Sequence, residues 1–265
     1  KYIATRGYSI KGGKKQEQGN RLPPSQRAVV AVRRAALADV NRASPPGVAI
    51  KEGKGEPGVA EAARRRAAHV AVATVNHLAA ALAQRLMQSQ TVRLYHDHLL
   101  VKEPGTKQPT PWHQDQPYYN VQGRQNASFW IPVDPVRRAS TLEFVAGSHL
   151  GPWLMPRTFM TNQAKWFPEG TLAELPDIEN HREDFPILGW DLQPGDLVCF
   201  HMLSLHASAG VDGTHRRRVY SVRFLGDDMT HAPRPWVTSP PFPGLDQELA
   251  AGVPMDHALF PLMSV

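Results

Sequence analysis

The string Trp112-His113-Gln114-Asp115 places an imidazole and a carboxylate two residues apart. Alternate side chains of a β-strand point to the same face, so on a strand His113 and Asp115 can offer one nitrogen and one oxygen to a single metal ion. A His-x-Asp string occurs readily by chance, and it indicates a metal site only when a further ligand accompanies it. The third ligand must come from elsewhere in the chain.

The sequence offers His206 as that ligand, within the segment PGDLVCFHMLSLHAS, where a turn precedes an apolar strand and small residues follow. Two imidazoles and one carboxylate on an octahedral Fe(II) ion leave three positions open, which suffices for a bidentate 2-oxo acid and O₂. Arg217 follows His206 by eleven residues. Its forked guanidinium can hold a carboxylate through two hydrogen bonds, so the pattern predicts a carboxylate anchor beside the metal.

The chain closely resembles the phytanoyl-CoA dioxygenase-like family of Fe(II)- and 2-oxoglutarate-dependent oxygenases in four strings, which occur in the order PWHQDQPYY, FWIPVDP, TLEFVAGSH and PGDLVCFHMLSLHASAGVDGTHRRRVYSVRFLGDD. The resemblance extends over about residues 91–243, and residues 1 to about 75 show none. It implies a mainly β chain with a double-stranded β-helix core, which is a cupin-like jelly roll. An N-terminal helical segment is expected to precede this core.

The resemblance assigns a role to six residues: metal binding and catalysis to His113, Asp115 and His206, and co-substrate binding to Arg217, Ser208 and Trp130. It implies Fe(II) as cofactor and 2-oxoglutarate and O₂ as co-substrates, with release of succinate and CO₂. Halogenating relatives have Gly or Ala where this chain has Asp115, so the chain is expected to be a hydroxylase. The substrate, a small molecule or an acyl compound, is not encoded in any motif.

Two other functions compete with this interpretation. One is a metal-binding cupin-like domain that keeps the barrel without turnover, although such a domain has no need of the anchor Arg217. The other is a nucleic-acid-binding protein carried by basic residues, because the chain has a net charge of +6. That charge is confined to residues 1–75, where 15 Lys and Arg face 5 Asp and Glu. Only two aromatic residues, Tyr2 and Tyr8, lie there, which disfavours base stacking.

Hydrophobic periodicity predicts one amphipathic helix over residues 62–87, with Val72, Val75, Leu78, Leu82 and Leu86 on one face. Five strands are expected after it, at Thr91–Lys102, Ala127–Asp134, Thr141–Ser148, Gly195–Leu203 and Arg218–Gly226. The chain therefore divides into a basic, poorly patterned segment over residues 1–75 and an oxygenase domain over residues 76–265. For the segment 1–75, a flexible arm, a helical cap and a non-natural N-terminus are three open interpretations.

Two stretches of the second part lack a clear period. Residues 151–190 form an insertion that is expected to contain a short helix over Leu172–Asn180 or to cover the site as a lid. The tail after Met229 is rich in proline and is expected to wrap the barrel as extended chain.

Several polar residues near the motifs admit plainer roles. His96 and His98 share one strand face and form either a polar wall of the co-substrate pocket or ordinary surface polarity. His201 is favoured as a packed histidine rather than a ligand, and His231 as a surface residue. Alternation along the last strand predicts that Arg217 points inward while its two neighbours point to solvent.

Composition limits the location and partners of the chain. The longest apolar stretch is interrupted by polar residues, so a membrane span is not expected. The only cysteine, Cys199, cannot form an internal disulfide and lies in the apolar run LVCF. A buried thiol in a reducing cytoplasm is therefore predicted. A small-molecule substrate is the expected partner, and the sequence gives no oligomeric state.

Overall fold

The computed structural model describes residues 75–156, 172–211 and 215–265, together with the backbone of three short strands within the first 32 residues. A helix, α1, covers residues 75–87, and a single turn of helix, α2, covers Leu245–Glu248. The strands are β1 Tyr2–Ala4, β2 Tyr8–Ser9, β3 Val29–Val32, β4 Arg93–Lys102, β5 Thr110–His113, β6 Val121–Gln122, β7 Asn126–Pro132, β8 Leu142–Val145, β9 Ile187–Leu188, β10 Leu197–Phe200, β11 His206–Ser208, β12 Arg217–Leu225 and β13 Thr230–His231.

Two antiparallel sheets make up the core. The larger has the strand order β2-β1-β3-β10-β7-β12-β4, and the smaller has the order β5-β11-β8-β9. Apart from β1 and β2, neighbouring strands in these sheets are not consecutive in the chain, except for β8 and β9, which a long insertion separates. The five strands expected from the sequence are present, with ends that differ by up to three residues. The mainly β, jelly-roll prediction is confirmed.

Both faces of the larger sheet are covered, which explains why β10 is apolar at every position. Leu197 and Cys199 face one hydrophobic cluster, whereas Val198 and Phe200 face another that lies between the two sheets. A strand buried on both faces needs apolar residues at consecutive positions rather than at alternate ones. Cys199 is buried as predicted, and burial raises the pKa of its thiol.

Helix α1 covers the outer face of the larger sheet. Its residues Ala79, Leu82 and Ala83 are buried against Phe129 and Phe224 of that sheet. Small alanines allow the helix backbone to lie close to the large aromatic rings. The helix ends at residue 87, and Gln88 follows with a φ of 55°. Residues 62–74 of the predicted helix lie outside the described residues.

Of the two alternatives for the insertion, the structure excludes the short helix, and the lid stays a prediction. Residues 172–180 form no helix; instead Ala173 pairs with Leu154 in an isolated bridge. The reason is Pro176, which cannot donate a helical hydrogen bond and disfavours helix in the residue before it. Ile178 is buried against Trp112, so this segment packs along the smaller sheet. Residues 157–171 of the insertion lie outside the described residues.

The proline-rich tail packs along the barrel, as expected, and pairs with it in places. Leu94 donates a backbone hydrogen bond to Pro261, and Met263 donates one to Val92. His231 is fully buried, contrary to its surface prediction, because its Nδ1 lies 2.7 Å from the carbonyl oxygen of Leu249. This contact joins β13 to the part of the tail around Leu249.

Part of the N-terminal segment joins the larger sheet. The backbone of Val29–Val32 pairs with Leu197–Phe200 in antiparallel register. Most of residues 1–74 lie outside the described residues, and the division of the chain at residue 75 stays a prediction. Within the described residues, no helix is both long and apolar enough to cross a membrane.

Candidate metal centre

Strand pairing brings the two predicted histidine ligands together. His113 and His206 are direct partners in the register of β5 and β11, and their ring centroids lie 4.2 Å apart. Each Nδ1 lies 2.8 Å from a carbonyl oxygen two residues earlier, that of Pro111 for His113 and that of Ser204 for His206. An Nδ1–H that donates to a carbonyl leaves Nε2 as the free lone pair, which is the form that binds metal.

Asp115 also lies beside the two histidines, but its backbone does not have the predicted strand conformation. Strand β5 ends at His113, and Asp115 has right-handed helical backbone angles at the start of a 3₁₀ turn. Strand alternation therefore does not position this carboxylate. The backbone N–H groups of Asp115 and Gln116 instead both donate to the carbonyl oxygen of Met202, at 2.8 and 3.0 Å.

The three predicted ligands form one buried cluster. Oδ1 of Asp115 lies 3.6 Å from Nε2 of His113 and 3.7 Å from Nε2 of His206. Two atoms that each bind one ion at about 2.1 Å are at most about 4.2 Å apart. Each of the three residues is at most 7% exposed. Among the described residues, this is the only group of three or more His, Cys, Asp and Glu side chains close enough to hold a metal.

The charge states of the cluster suit a divalent cation. Burial by itself raises the pKa of Asp115, but the guanidinium of Arg223 and the two histidines hold that pKa well below its usual value. Burial, together with the nearby His113, lowers the pKa of His206 to about 3. Around neutral pH the carboxylate is therefore ionised and the His206 imidazole is neutral, as metal ligands must be.

The three residues predicted to bind the co-substrate also meet. Arg217 is buried, and its Nη2 lies 3.5 Å from Oγ of Ser208. Its guanidinium lies 5.6 Å from the ring centroid of Trp130 and donates to the carbonyl oxygen of Ser140. Burial lowers the pKa of Arg217 to about 10. Arg216 and Arg218 instead bind Glu103 and Asp134 in exposed ion pairs, so the predicted alternation is observed.

Lys102 is a second cation at this position, and sequence reasoning missed it. It is the cross-strand partner of Arg217, and its Nζ lies 3.5 Å from the same Ser208 hydroxyl. Burial and the neighbouring Arg217 lower the pKa of Lys102 to about 8. Neither cation has a carboxylate within ion-pair distance among the described residues. The pairing of β4 with β12, which no local pattern encodes, creates this site.

The histidine pair on β4 belongs to the pocket and not to the outer surface. His96 and His98 stack at 5.5 Å, and Nε2 of His98 lies 3.4 Å from Nη1 of Arg223. Burial and Arg223 lower the pKa of His96 to about 3 and that of His98 to about 4. His201 accepts from the N–H of Leu203 at 3.0 Å and does not join the cluster, as predicted.

One cavity of about 640 Å³ connects these groups. All six predicted site residues line it, together with Lys102, Arg223 and the pair His96 and His98. The cavity has a cationic region around Ser208 and a metal-ligand cluster at the mouth of the jelly roll. Ser208 and His206 lie two residues apart on β11, roughly 7 Å along the strand.

Comparison with solved structures supports the fold. The epimerase SnoN in complex with Fe³⁺, alpha-ketoglutarate and nogalamycin RO is 21% identical, with a TM-score of 0.59 over 90% of this chain and 95% of that one. The alpha-ketoglutarate-dependent carbocyclase SnoK from nogalamycin biosynthesis is 19% identical, with a TM-score of 0.51 over 92% of this chain and 79% of that one. At these identities the likeness is one of fold.

Sequence relationships identify the family. The probable phytanoyl-CoA dioxygenase of Caenorhabditis elegans is 28% identical over 142 residues, which are 51% of this chain and 43% of the relative. The chain thus matches less than half the length of that protein. The family model for phytanoyl-CoA dioxygenase (PhyH) matches residues 23–219 and so begins upstream of the expected resemblance, within the basic N-terminal segment. This chain belongs to the phytanoyl-CoA dioxygenase family.

Proposed function

We propose that the chain is an Fe(II)- and 2-oxoglutarate-dependent dioxygenase that hydroxylates a small-molecule or acyl substrate and releases succinate and CO₂. The observation that carries this proposal is the presence, in one cavity, of a three-ligand cluster and two cations that lack a carboxylate partner among the described residues. Family membership and the likeness to SnoN, whose structure holds Fe³⁺ and alpha-ketoglutarate, support it.

The donor set fits iron. His113 and His206 each present Nε2, and Asp115 presents Oδ1, which together are the two imidazoles and one carboxylate of non-haem Fe(II) oxygenases. These three residues would hold the ion and leave three positions for other ligands. When bound, iron supplies the Lewis-acid and redox chemistry by which O₂ oxidises the 2-oxo acid and then the substrate.

The cationic region suits the far carboxylate of 2-oxoglutarate. Arg217 offers its fork, Ser208 offers a hydroxyl, and Lys102 adds a second positive charge beside the same oxygen. A buried cation without an anion is costly, so a carboxylate that enters this region stabilises it. Trp130 lies against Arg217 and covers the region with an apolar ring that restricts water. The co-substrate is thereby oriented with its other end toward the metal ligands.

Hydroxylation is the proposed outcome, and the retained carboxylate of Asp115 is the reason. A carboxylate at this position occupies the place that a halide would need on the metal. The two structural relatives described above are named as an epimerase and a carbocyclase, so the shared fold is compatible with several oxidative outcomes. The pocket of this chain therefore has to select among them through its substrate.

The proposal is tested by anaerobic titration of the full chain with Fe(II) and 2-oxoglutarate, followed by visible absorption. A weak metal-to-ligand charge-transfer band is expected, and it should be lost in His206→Ala and Arg217→Ala. Exposure of the same sample to O₂ should then yield succinate. A folded protein that binds Fe(II) but never shows the band contradicts the proposal.

The second candidate is a cupin-like metal-binding domain without turnover. It requires the His113, Asp115 and His206 cluster but not the two cations beside Ser208, which have no carboxylate partner among the described residues. Binding of Fe(II) with no change on addition of 2-oxoglutarate would favour this candidate. Binding of both, followed by succinate formation, would exclude it.

A cytoplasmic location is proposed from the single buried Cys199 and is testable by fractionation of the native host. No nucleic-acid role is proposed for the basic segment. If that segment binds nucleic acid, replacement of its Lys11, Lys14 and Lys15 by Gln should weaken salt-dependent binding to DNA and RNA.

A further inference from the structure

Arg223 is a second buried arginine on β12, and no sequence motif assigned a role to it. It lies six residues after Arg217 on β12, and an even separation on a strand puts both side chains on the same face. Arg223 is only 5% exposed. Its guanidinium nevertheless makes no contact with Ser208 or Lys102, and it contacts the metal-ligand cluster instead.

Both arms of the Arg223 guanidinium are held. Nη2 donates to Oδ2 of Asp115 at 3.0 Å. Nη1 lies 2.5 Å from Oγ of Ser221 and 3.4 Å from Nε2 of His98. The hydroxyl of Ser221 donates in turn to the carbonyl oxygen of Phe129 at 3.2 Å, which fixes its lone pairs toward Arg223. The guanidinium therefore has one orientation, and that orientation faces Asp115.

The two oxygens of Asp115 have separate partners. Oδ2 accepts from Arg223 and, at 3.1 Å, from Oγ of Ser128. Oδ1 is the atom that lies 3.6 and 3.7 Å from the two histidine nitrogens. A carboxylate that used both oxygens on one metal ion would have to break both bonds to Oδ2, in a buried site where lost charged hydrogen bonds are expensive.

We propose that Arg223 is a positioning residue that, together with Ser128, restricts Asp115 to binding the metal through Oδ1 alone. The consequence concerns the number of positions on the metal ion that the protein occupies. Three protein atoms leave three positions of an octahedral ion open, whereas a bidentate carboxylate would close one that the co-substrate or O₂ needs. This inference rests on the proposed function, because it assumes that the cluster holds a metal.

The test is titration of the full chain with Co(II), whose visible absorption reports both affinity and coordination number. In Arg223→Met we expect a loss of Co(II) affinity of about 10- to 100-fold, the range typical of groups that orient metal ligands. We also expect a changed band shape as the freed carboxylate rotates. Arg223→Lys keeps the charge but cannot span Asp115 and Ser221 together, so intermediate affinity is expected.

A matched control separates positioning from general stability. Arg234 is a partly buried arginine, held by the carbonyl oxygens of Tyr119 and Val121 and packed on Trp153. Arg234→Met should lower the melting temperature and leave the Co(II) spectrum of the folded protein unchanged. Wild-type Co(II) affinity and band shape in folded Arg223→Met overturn the proposal. If Arg223→Met does not fold, wild-type behaviour in Arg223→Lys overturns it.

Failure of this inference differs from failure of the proposed function. If the unmodified chain does not bind Co(II), the metal centre itself is wrong. If the unmodified chain and Arg223→Met bind Co(II) equally, the metal centre stands and only the role of Arg223 is wrong. Ser128→Ala adds an independent test. Ser128 is the weaker partner of Oδ2 of Asp115, so its loss should reduce Co(II) affinity by less than Arg223→Met does.

Discussion

Arg217 and Arg223 lie on the same strand, on the same face and six residues apart, and both are buried. Their surroundings nevertheless differ. Arg223 is paired with the buried carboxylate of Asp115, whereas Arg217 touches a hydroxyl, a carbonyl oxygen and an aromatic ring. Among the described residues, Arg217 has no carboxylate partner and is joined by a second cation, Lys102.

The pKa values of Arg217 and Arg223 differ in the same way as their surroundings. Burial lowers the pKa of Arg217 to about 10. Burial also acts to lower the pKa of Arg223, but Tyr119 and Asp115 raise it above its ordinary value. A buried arginine that is paired with a carboxylate of the protein stabilises that carboxylate. A buried cation that lacks one is a binding site for an anion from solution. The strand therefore carries a carboxylate-paired arginine at one end and, at the other, an arginine with no carboxylate partner among the described residues.

The largest effect is expected at the three proposed metal ligands. Asp115→Ala or His206→Ala should reduce iron-dependent succinate formation to background, because the remaining pair of ligands cannot retain the ion. Circular dichroism should show an intact β fold in His206→Ala. Full turnover in either variant contradicts the ligand assignment.

Arg217→Ala should distinguish the role of Arg217 from that of Arg223 most clearly. We expect the KM for 2-oxoglutarate to rise about 10- to 100-fold, since hydrogen bonds to charged groups contribute about 1.5–3 kcal/mol. Co(II) affinity should stay at the wild-type value, which is the reverse of the expectation for Arg223→Met. Steady-state kinetics check the rise in KM, and the Co(II) titration checks the unchanged metal affinity. Equal effects of the two substitutions on KM would abolish the distinction.

Lys102→Met should give a smaller rise in the KM for 2-oxoglutarate, about 5-fold at pH 7, because Arg217 retains the direct fork. The two variants should also differ in pH dependence. Lys102, with a pKa of about 8 from burial and from Arg217, is protonated below that pH and attracts the dianion, and it loses its charge above it. The wild-type KM should therefore rise between pH 7 and pH 9.

In Lys102→Met that rise should disappear, because Arg217 stays protonated over the whole interval. Measurement of KM at several pH values in both proteins checks this. A rise of the same size in Lys102→Met would assign the titration to another group and remove Lys102 from the anchor.

The smallest effect is expected at Arg218, which neighbours Arg217 but points to the opposite side and pairs with Asp134 at the surface. Arg218→Met should leave the KM for 2-oxoglutarate and the affinity for Co(II) unchanged, because exposed ion pairs contribute little. A large rise in KM would show that the inward and outward positions of the strand are assigned wrongly.

The amino-acid sequence predicted helix α1, five of the described strands and the identity of the clustered residues. Short apolar or alternating runs between turn signals located β4, β7, β8, β10 and β12. The spacing of His113, Asp115, His206 and Arg217 was informative because it matches a family pattern. Alternation also predicted correctly that Arg217 alone of three consecutive arginines is buried.

Local reasoning failed where the backbone leaves regular structure. Asp115 was expected on a strand, but β5 ends two residues earlier and the chain turns there because the N–H groups of Asp115 and Gln116 meet the carbonyl oxygen of Met202. The helix over residues 172–180, one of two alternatives for the insertion, does not form because Pro176 interrupts that segment. His231 was expected at the surface, and contacts with the tail bury it.

The sequence alone determined which chemical groups this chain has and which strand faces they occupy, because side-chain alternation is a local property of the backbone. Tertiary structure alone decided their partners. Lys102 meets Arg217 through the register of β4 and β12, and Arg223 meets Asp115 across 108 residues of chain. Such pairings depend on how distant strands align and fold around a common cavity, and no spacing along the chain encodes that alignment.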